Sequence, residues 1–377
     1  MVKKIYLIIG VIILITLVIC LSIFKKNNTA NVISTKLYQS SNLFTDRDLK
    51  QNVDTSDAIN YTVSDNNDIV IQSSGIYVIS GSAKNVTIYV EAGDEDKVQI
   101  VLENLSITNE TMPCIYVKTA SKVFVTSIET NTLKVTGTFV ADGSTNLNGV
   151  IFSKQDVTFN GTGTLNIDST QNGLVGKDDL KITGGTYNIT AQSVAVKAND
   201  SIRIADGTIT LNAGTDGLHA ENNSDDTKGY VYICGGQINI KAIDDCIHGQ
   251  SVVQIDDGTI ILNGAEGIEG TYVQINGGNI SIDATGDGIN AGSKSNSYSV
   301  TIEITGGTIT IVMADGDTDG IDSNGDIIVT SGIIKVTGNS AFDYDGTATY
   351  NGGTIIINGV QVNSIPAKVS DNNTVKE

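Results

Sequence analysis

Apolar and polar side chains alternate through most of this chain, and the alternation restarts after each glycine-bearing turn. The pattern reads ITGGTYNI at 182–189, IADGTITL at 204–211, ICGGQINI at 233–240, IDDGTIIL at 255–262, INGGNISI at 275–282, ITGGTITI at 304–311 and YNGGTIII at 350–357. A period of two sends every second side chain to one face, which is the signature of β-strands. Beyond the N-terminal segment no stretch shows the 3.6-residue period of a helix. The turn glycines, among them Gly163, Gly185, Gly207, Gly236, Gly258, Gly278, Gly307, Gly332 and Gly353, recur every 20–25 residues, with two steps of 29. The longer steps are expected to be loops inserted at a corner, at 222–228 and 292–299.

One such unit offers two or three short strands and cannot bury its own apolar side. Stacking at ~4.8 Å lets neighbouring units hydrogen-bond in parallel and close an aliphatic interior. The predicted fold is therefore all-β, a right-handed parallel β-helix whose coils are about 21–25 residues long. A sandwich or a propeller would need antiparallel hairpins or longer blade periods. Less regular alternation upstream, in DIVIQSSGIYVISG, VQIVLENLSI and KVFVTSIETNTLKVTG, is assigned to the first coils and a cap.

The corner after each second strand repeats an acid-Gly-apolar-polar pattern. It reads Asp216-Gly217-Leu218-His219, Asp245-Cys246-Ile247-His248, Glu266-Gly267-Ile268-Glu269, Asp287-Gly288-Ile289-Asn290 and Asp319-Gly320-Ile321-Asp322. A degenerate copy ends in Asp343 and is followed by Asp345, while earlier corners place Asn148, Asn172 and Ser193 first. Stacked coils would turn these corners into two columns, with like charges about 5 Å apart, each adjacent pair costing ~1 kcal/mol in water and several times that near protein. Hard oxygen donors in irregular geometry suit Ca²⁺. The expected metal ligands are thus Asp216, Asp245, Glu266, Glu269, Asp287, Asn290, Asp319, Asp322, Asp343 and Asp345, with Ca²⁺ as the cofactor. The plain alternative is that Asp-Gly makes a good corner and the acids are merely solvated. His219 and His248 occupy equivalent positions and, with Tyr272 and Lys197, are candidates for ligand contact.

The first segment differs from everything after it. Lys3 and Lys4 precede an uncharged stretch, 5–24, that is long enough to cross ~30 Å of hydrocarbon as a helix, and Lys25 and Lys26 close it. Residues 1–26 are read as a transmembrane anchor or uncleaved signal, 27–60 as a polar linker, 61–361 as the β-helix and 362–377 as a polar tail. The protein is expected outside the cell, anchored to its membrane. Cys20 falls where a lipoprotein signal would need a small residue at position 19, and Ile19 is not one. The formal charge of −19, with Asp and Glu totalling 42, repels nucleic acid and anionic lipid headgroups. Cys114, Cys234 and Cys246 show no zinc spacing and are read as packing residues.

At these residues the sequence resembles a bacterial family of extracellular carbohydrate-binding parallel β-helix proteins that bind cellulose and polygalacturonate-type polymers. The resemblance covers about residues 65–360 and rests on the ordered succession IYVISGS, DEDKVQIVLENLSIT, VIFSKQDVTFNGTGTLNI, VGKDDLKITGG, DGLHAEN, EGIEG, DGINA, DGIDSNGDI and FDYDG. It implies a fold related to calcium-dependent pectate lyases and Ca²⁺ bound at acidic coil corners, at Asp216, Asp245, Glu266, Glu269, Asp287, Asp319 and Asp322. Cys246 departs from it by replacing a corner glycine. The function expected is non-catalytic binding of acidic or cellulosic polysaccharide through a Ca²⁺-occupied ladder. One alternative is a Ca²⁺-dependent polysaccharide lyase, whose base would be Lys177, Lys197 or Arg203. The other is a Ca²⁺-stabilised structural surface protein. Absence of Trp argues against recognition by aromatic stacking alone.

Overall fold

The computed structural model describes residues 35–316 and 318–366; the expected anchor at 1–26 lies outside them. Among the described residues no helix is long and apolar enough to cross a membrane. Regular structure among those residues is almost wholly β, with one short helical turn at Ser40–Leu43. From Leu37 onward the chain forms one compact unit.

Within that unit the strands join a parallel, solenoid-like sheet in which each strand pairs with its counterpart one coil later. Val157–Gly161, Thr164–Ser169 and Asn172–Gly176 pair in parallel with Asp179–Ile182, Thr186–Ala191 and Val196–Ala198. Three strand columns therefore run through the unit, one for each straight segment of a coil. The two insertions leave the ladder unbroken, because Leu218 still aligns with Ile247 and Ile289 with Ile321.

Register makes the core. Ile182, Ile204, Ile233, Ile255, Ile275, Ile304 and Val329 stack one above the next, all fully buried. Burial of each such side chain contributes ~1.5–3 kcal/mol, and no coil could supply it alone. The turn glycines behave as expected. Gly185, for one, has φ of +92°, where a side chain would strain the backbone. At the far end Thr354–Ile357 folds back on Val360–Val362 in antiparallel pairing, which covers the last parallel edge.

The stretch expected to be a linker contains a packed strap. Residues 37–51 cross one strand column against its coil order. Tyr38 exchanges hydrogen bonds with the Gln254 side chain and stacks on Tyr230 at 4.3 Å. Further along, Lys181 donates to Leu43 O. Asp48, fully buried, accepts from Lys122 at 2.5 Å and Lys181 at 3.1 Å. Gln51 then caps Gly161 N and donates to Thr183 O. The polar composition of 37–51 hid this, because the strap is held largely by hydrogen bonds to polar residues that point outward from the sheet.

Candidate functional site

The third strand column carries the acidic corners, and its outward positions fall into continuous rows. Reading up the coils, one row runs Tyr89, Tyr116, Phe152, Val175, Lys197, His219, His248, Glu269, Asn290, Asp322 and Asp343. It passes from aromatic through basic to acidic. The expected fourth-position column is the upper part of it, in the expected register.

The first-position acids form their own column, in which Asp245 and Glu266 are directly aligned. Part of their role is structural. Asp216 Oδ1 accepts the Asp245 amide at 3.3 Å, and Asp287 Oδ1 accepts the Asp319 amide at 2.9 Å. Asn172 does the same for Val194 N at 3.1 Å. Each such side chain caps the backbone of the next coil, which is the chemistry that makes Asx residues good corners. In the lower coils the alignment of Asn172 with Gly149, and of Leu174 with Val196, puts Gly149 and Val194 in this column rather than Asn148 and Ser193. One residue of slip exchanges inward and outward positions.

The lower acids already have partners of the protein's own. His219 Nδ1 lies 2.7 Å from Asp216 Oδ2, and its Nε2 lies 3.2 Å from Glu221. His248 Nδ1 sits 3.1 Å from Asp245 and 2.6 Å from Glu269. The two imidazoles stack with centroids 4.5 Å apart and planes 8° from parallel. Lys294, from the second insertion, reaches Glu269 Oε1 at 2.5 Å. Burial opposes the charge on His248, yet its bonds to Asp245 and Glu269 lift it to about 9. Burial likewise opposes ionisation of Glu269, but His248 and Lys294 hold it down to about 2. Asp245, His248 and Glu269 present ligand atoms within 4.8 Å of one another, so a metal there would have to displace the imidazole proton.

Upward of Glu269 the donors are all oxygen. Burial, and then Glu269 and Asp245, push the Glu266 carboxyl up to about 7, although Asn290 Nδ2 donates to it at 3.1 Å. Asn290 Oδ1 is itself buried without a hydrogen-bond partner. Burial, then Asp287, Asp343, Asp319 and Asp345 in turn, raises Asp322 to about 6. A set of carboxylates that resist ionisation beside an orphaned carbonyl oxygen fits a hard divalent cation such as Ca²⁺.

Tyr272 is not part of this face. It lies in the strap's column, where its hydroxyl donates to Glu303 at 2.8 Å. Two features escaped the sequence reading. Lys294 sits in an insertion whose path the repeat does not dictate. Asp178, Asp179 and Asp200 converge at another corner, where Arg203 and Ser201 donate to Asp179, Asn222 and Lys228 donate to Asp200, and burial followed by the neighbouring acids raises Asp178 to about 7. Cys246 departs from the corner pattern without cost because the next coil makes room: a Cβ on Gly264 would lie 2.8 Å from its sulfur. Cys114, Cys234 and Cys246 form no disulfide among the described residues; the Cys114 and Cys246 thiols lie against backbone carbonyls, and burial raises both to about 12.

A parallel, solenoid-like sheet presenting one long graded row of aromatic, basic and acidic side chains places the molecule among stacked-coil proteins with an extended polar face. Within that class the chain belongs to the family of carbohydrate-binding domain-containing proteins, whose model matches residues 65–317. A carbohydrate-binding domain-containing protein of Acetivibrio thermocellus is 38% identical over 216 residues, which is 56% of this chain and 74% of the relative. Among solved structures, the polysaccharide lyase-like protein from C. thermocellum, in its gadolinium derivative, matches 80% of this chain and 94% of its own, with 23% identity and a TM-score of 0.44.

Proposed function

We propose that the protein is a right-handed parallel β-helix, held at the outer cell surface by residues 1–26, that binds acidic or cellulosic polysaccharide without cleaving it. Family membership supports a carbohydrate partner. The observation that carries the Ca²⁺ part is the all-oxygen stretch of Glu266, Asp287, Asn290, Asp319, Asp322, Asp343 and Asp345, with its raised carboxyls and its unpartnered amide oxygen. Bound there, Ca²⁺ supplies positive charge that protein and uronate carboxylates can ligate together. The protein's own residues fix the spacing of these oxygens by coil-on-coil register, and repetition adds modest contacts along a polymer. Asp216 and Asp245, occupied by His219 and His248, set the lower edge of the stretch.

The test is retention of the 37–366 unit on immobilised polygalacturonate and on cellulose, with Ca²⁺ and with excess chelator. Retention on polygalacturonate that chelator abolishes supports the reading. No retention on either polymer would leave a structural surface role. Ultraviolet absorbance from unsaturated uronate products would make the protein a lyase instead. Of the candidate bases, Arg203 is committed to Asp179 at 2.5 Å and lies beside the strap, so Lys177 and Lys197 would be the positions to substitute.

A further inference from the structure

Several lysines of this acidic chain find acids. Lys118, Lys122, Lys134, Lys181, Lys228 and Lys294 all form ion pairs. Lys154, Lys177 and Lys197 do not, among the described residues, and they lie together on the ladder face. Lys154 N bonds Val117 O, and Lys177 N bonds Ser153 O. Lys118, Lys154 and Lys177 therefore stand in one outward row on successive coils, ~4.8 Å apart. Lys197 stands one coil further, in the row that continues into His219.

Two of these ammonium groups lie over aromatic rings. Lys154 lies 5.8 Å from the Tyr116 ring centroid and Lys177 lies 5.7 Å from that of Phe152. Both rings are fully buried, so they act as a floor and offer no stacking surface to a sugar. Lys177 is exposed, and burial of its stem together with the neighbouring Lys197 lowers its pKa. Adjacent like charges with no direct ion pair, Lys197 having only the more distant Glu221, are a cost that a bound polyanion would remove. The net charge of −19 repels polyanions everywhere else.

We infer that Lys154, Lys177 and Lys197 form a second subsite that takes the carboxylates of a uronate polymer directly, without metal. It lies coil-below the proposed cation stretch, so one polymer running along the face would meet ammonium groups first and carboxylate-held cations after. This inference rests on the polysaccharide-binding reading.

The experiment uses the full unit and its K154Q/K177Q/K197Q variant, with polygalacturonate, cellulose and inorganic polyphosphate as probes, in chelator and in Ca²⁺. The expected result is about tenfold weaker binding of polygalacturonate in chelator, at the upper range for three exposed charge contacts. It comes with a shallower salt dependence, unchanged cellulose binding and unchanged melting temperature. Equal polygalacturonate binding by variant and wild type overturns the subsite, as does a parallel loss on cellulose. Equal loss on polyphosphate overturns its uronate assignment. Absence of wild-type polygalacturonate binding under every condition would instead refute the function on which the subsite rests.

Discussion

Asp322 shows what stacking does to an ordinary corner acid. In a free peptide it would ionise near 4; here burial and the charges of Asp287, Asp343, Asp319 and Asp345 raise it to about 6. Replacing it by Asn should raise the metal-free melting temperature at pH 7.5, by relief on the order of 1 kcal/mol after allowing for solvent screening. The same change should shrink the shift that Ca²⁺ produces, and scanning calorimetry with and without Ca²⁺ checks both. Cys246 offers a separate test of packing. Gly264→Ala drives a methyl against Cys246 Sγ and, at 2.8 Å, Asp244 O, and should destabilise by ~1–3 kcal/mol. Adding Cys246→Gly should recover part of that loss, because the two positions share one space. Urea unfolding of the singles and the double measures the coupling.

At the scale of elements, the strap and the corner caps are built from polar groups whose partners lie on other coils. Burial disfavours the Asp48 carboxylate, but Lys122, Thr45 and Lys181 hold its pKa far below the usual range. Breaking a fully buried pair of this kind costs ~3–5 kcal/mol. Asp48→Asn should therefore release residues 37–51 while the coils stay intact. Amide hydrogen exchange is the readout: protection lost across the strap, and kept at the stacked isoleucines, is the expected pattern. Uniform loss of protection would mean that strap and coils unfold as one.

For the whole unit, the raised and lowered groups set a pH profile. Asp245 and Asp322 at about 6 and Glu266 at about 7 hold protons in the fold that the unfolded chain has already released. Stability in chelator must then fall as pH rises from about 4 to 7. His248, at about 9, has the opposite history: its contribution is complete below the unfolded value near 6.5 and fades only as pH approaches 9. That of Glu269 is lost only in strong acid, toward 2. The melting temperature in chelator should thus be higher at pH 5 than at pH 7.5, and Ca²⁺ should raise it more at pH 7.5, where ligands need shed no proton. A melting temperature that climbs from pH 5 to 7.5 in chelator would contradict the assignment of raised carboxyls to this acidic stretch.

Period and punctuation were enough to determine the strands, the turn glycines, the stacked interior and the register of the acid-Gly corners, because a two-residue alternation with a fixed coil length admits one way to bury Ile and Val. The column of His219, His248, Glu269, Asn290, Asp322 and Asp343 follows from that alone. Tertiary structure decided how the charges resolve. It brought Lys294 out of an insertion onto Glu269, set Asp48 of the strap against Lys122 and Lys181, moved Tyr272 to another face, and left Lys154, Lys177 and Lys197 on one face without an ion pair. These outcomes depend on contacts between segments distant in the chain, and a short-range repeat carries no information about them.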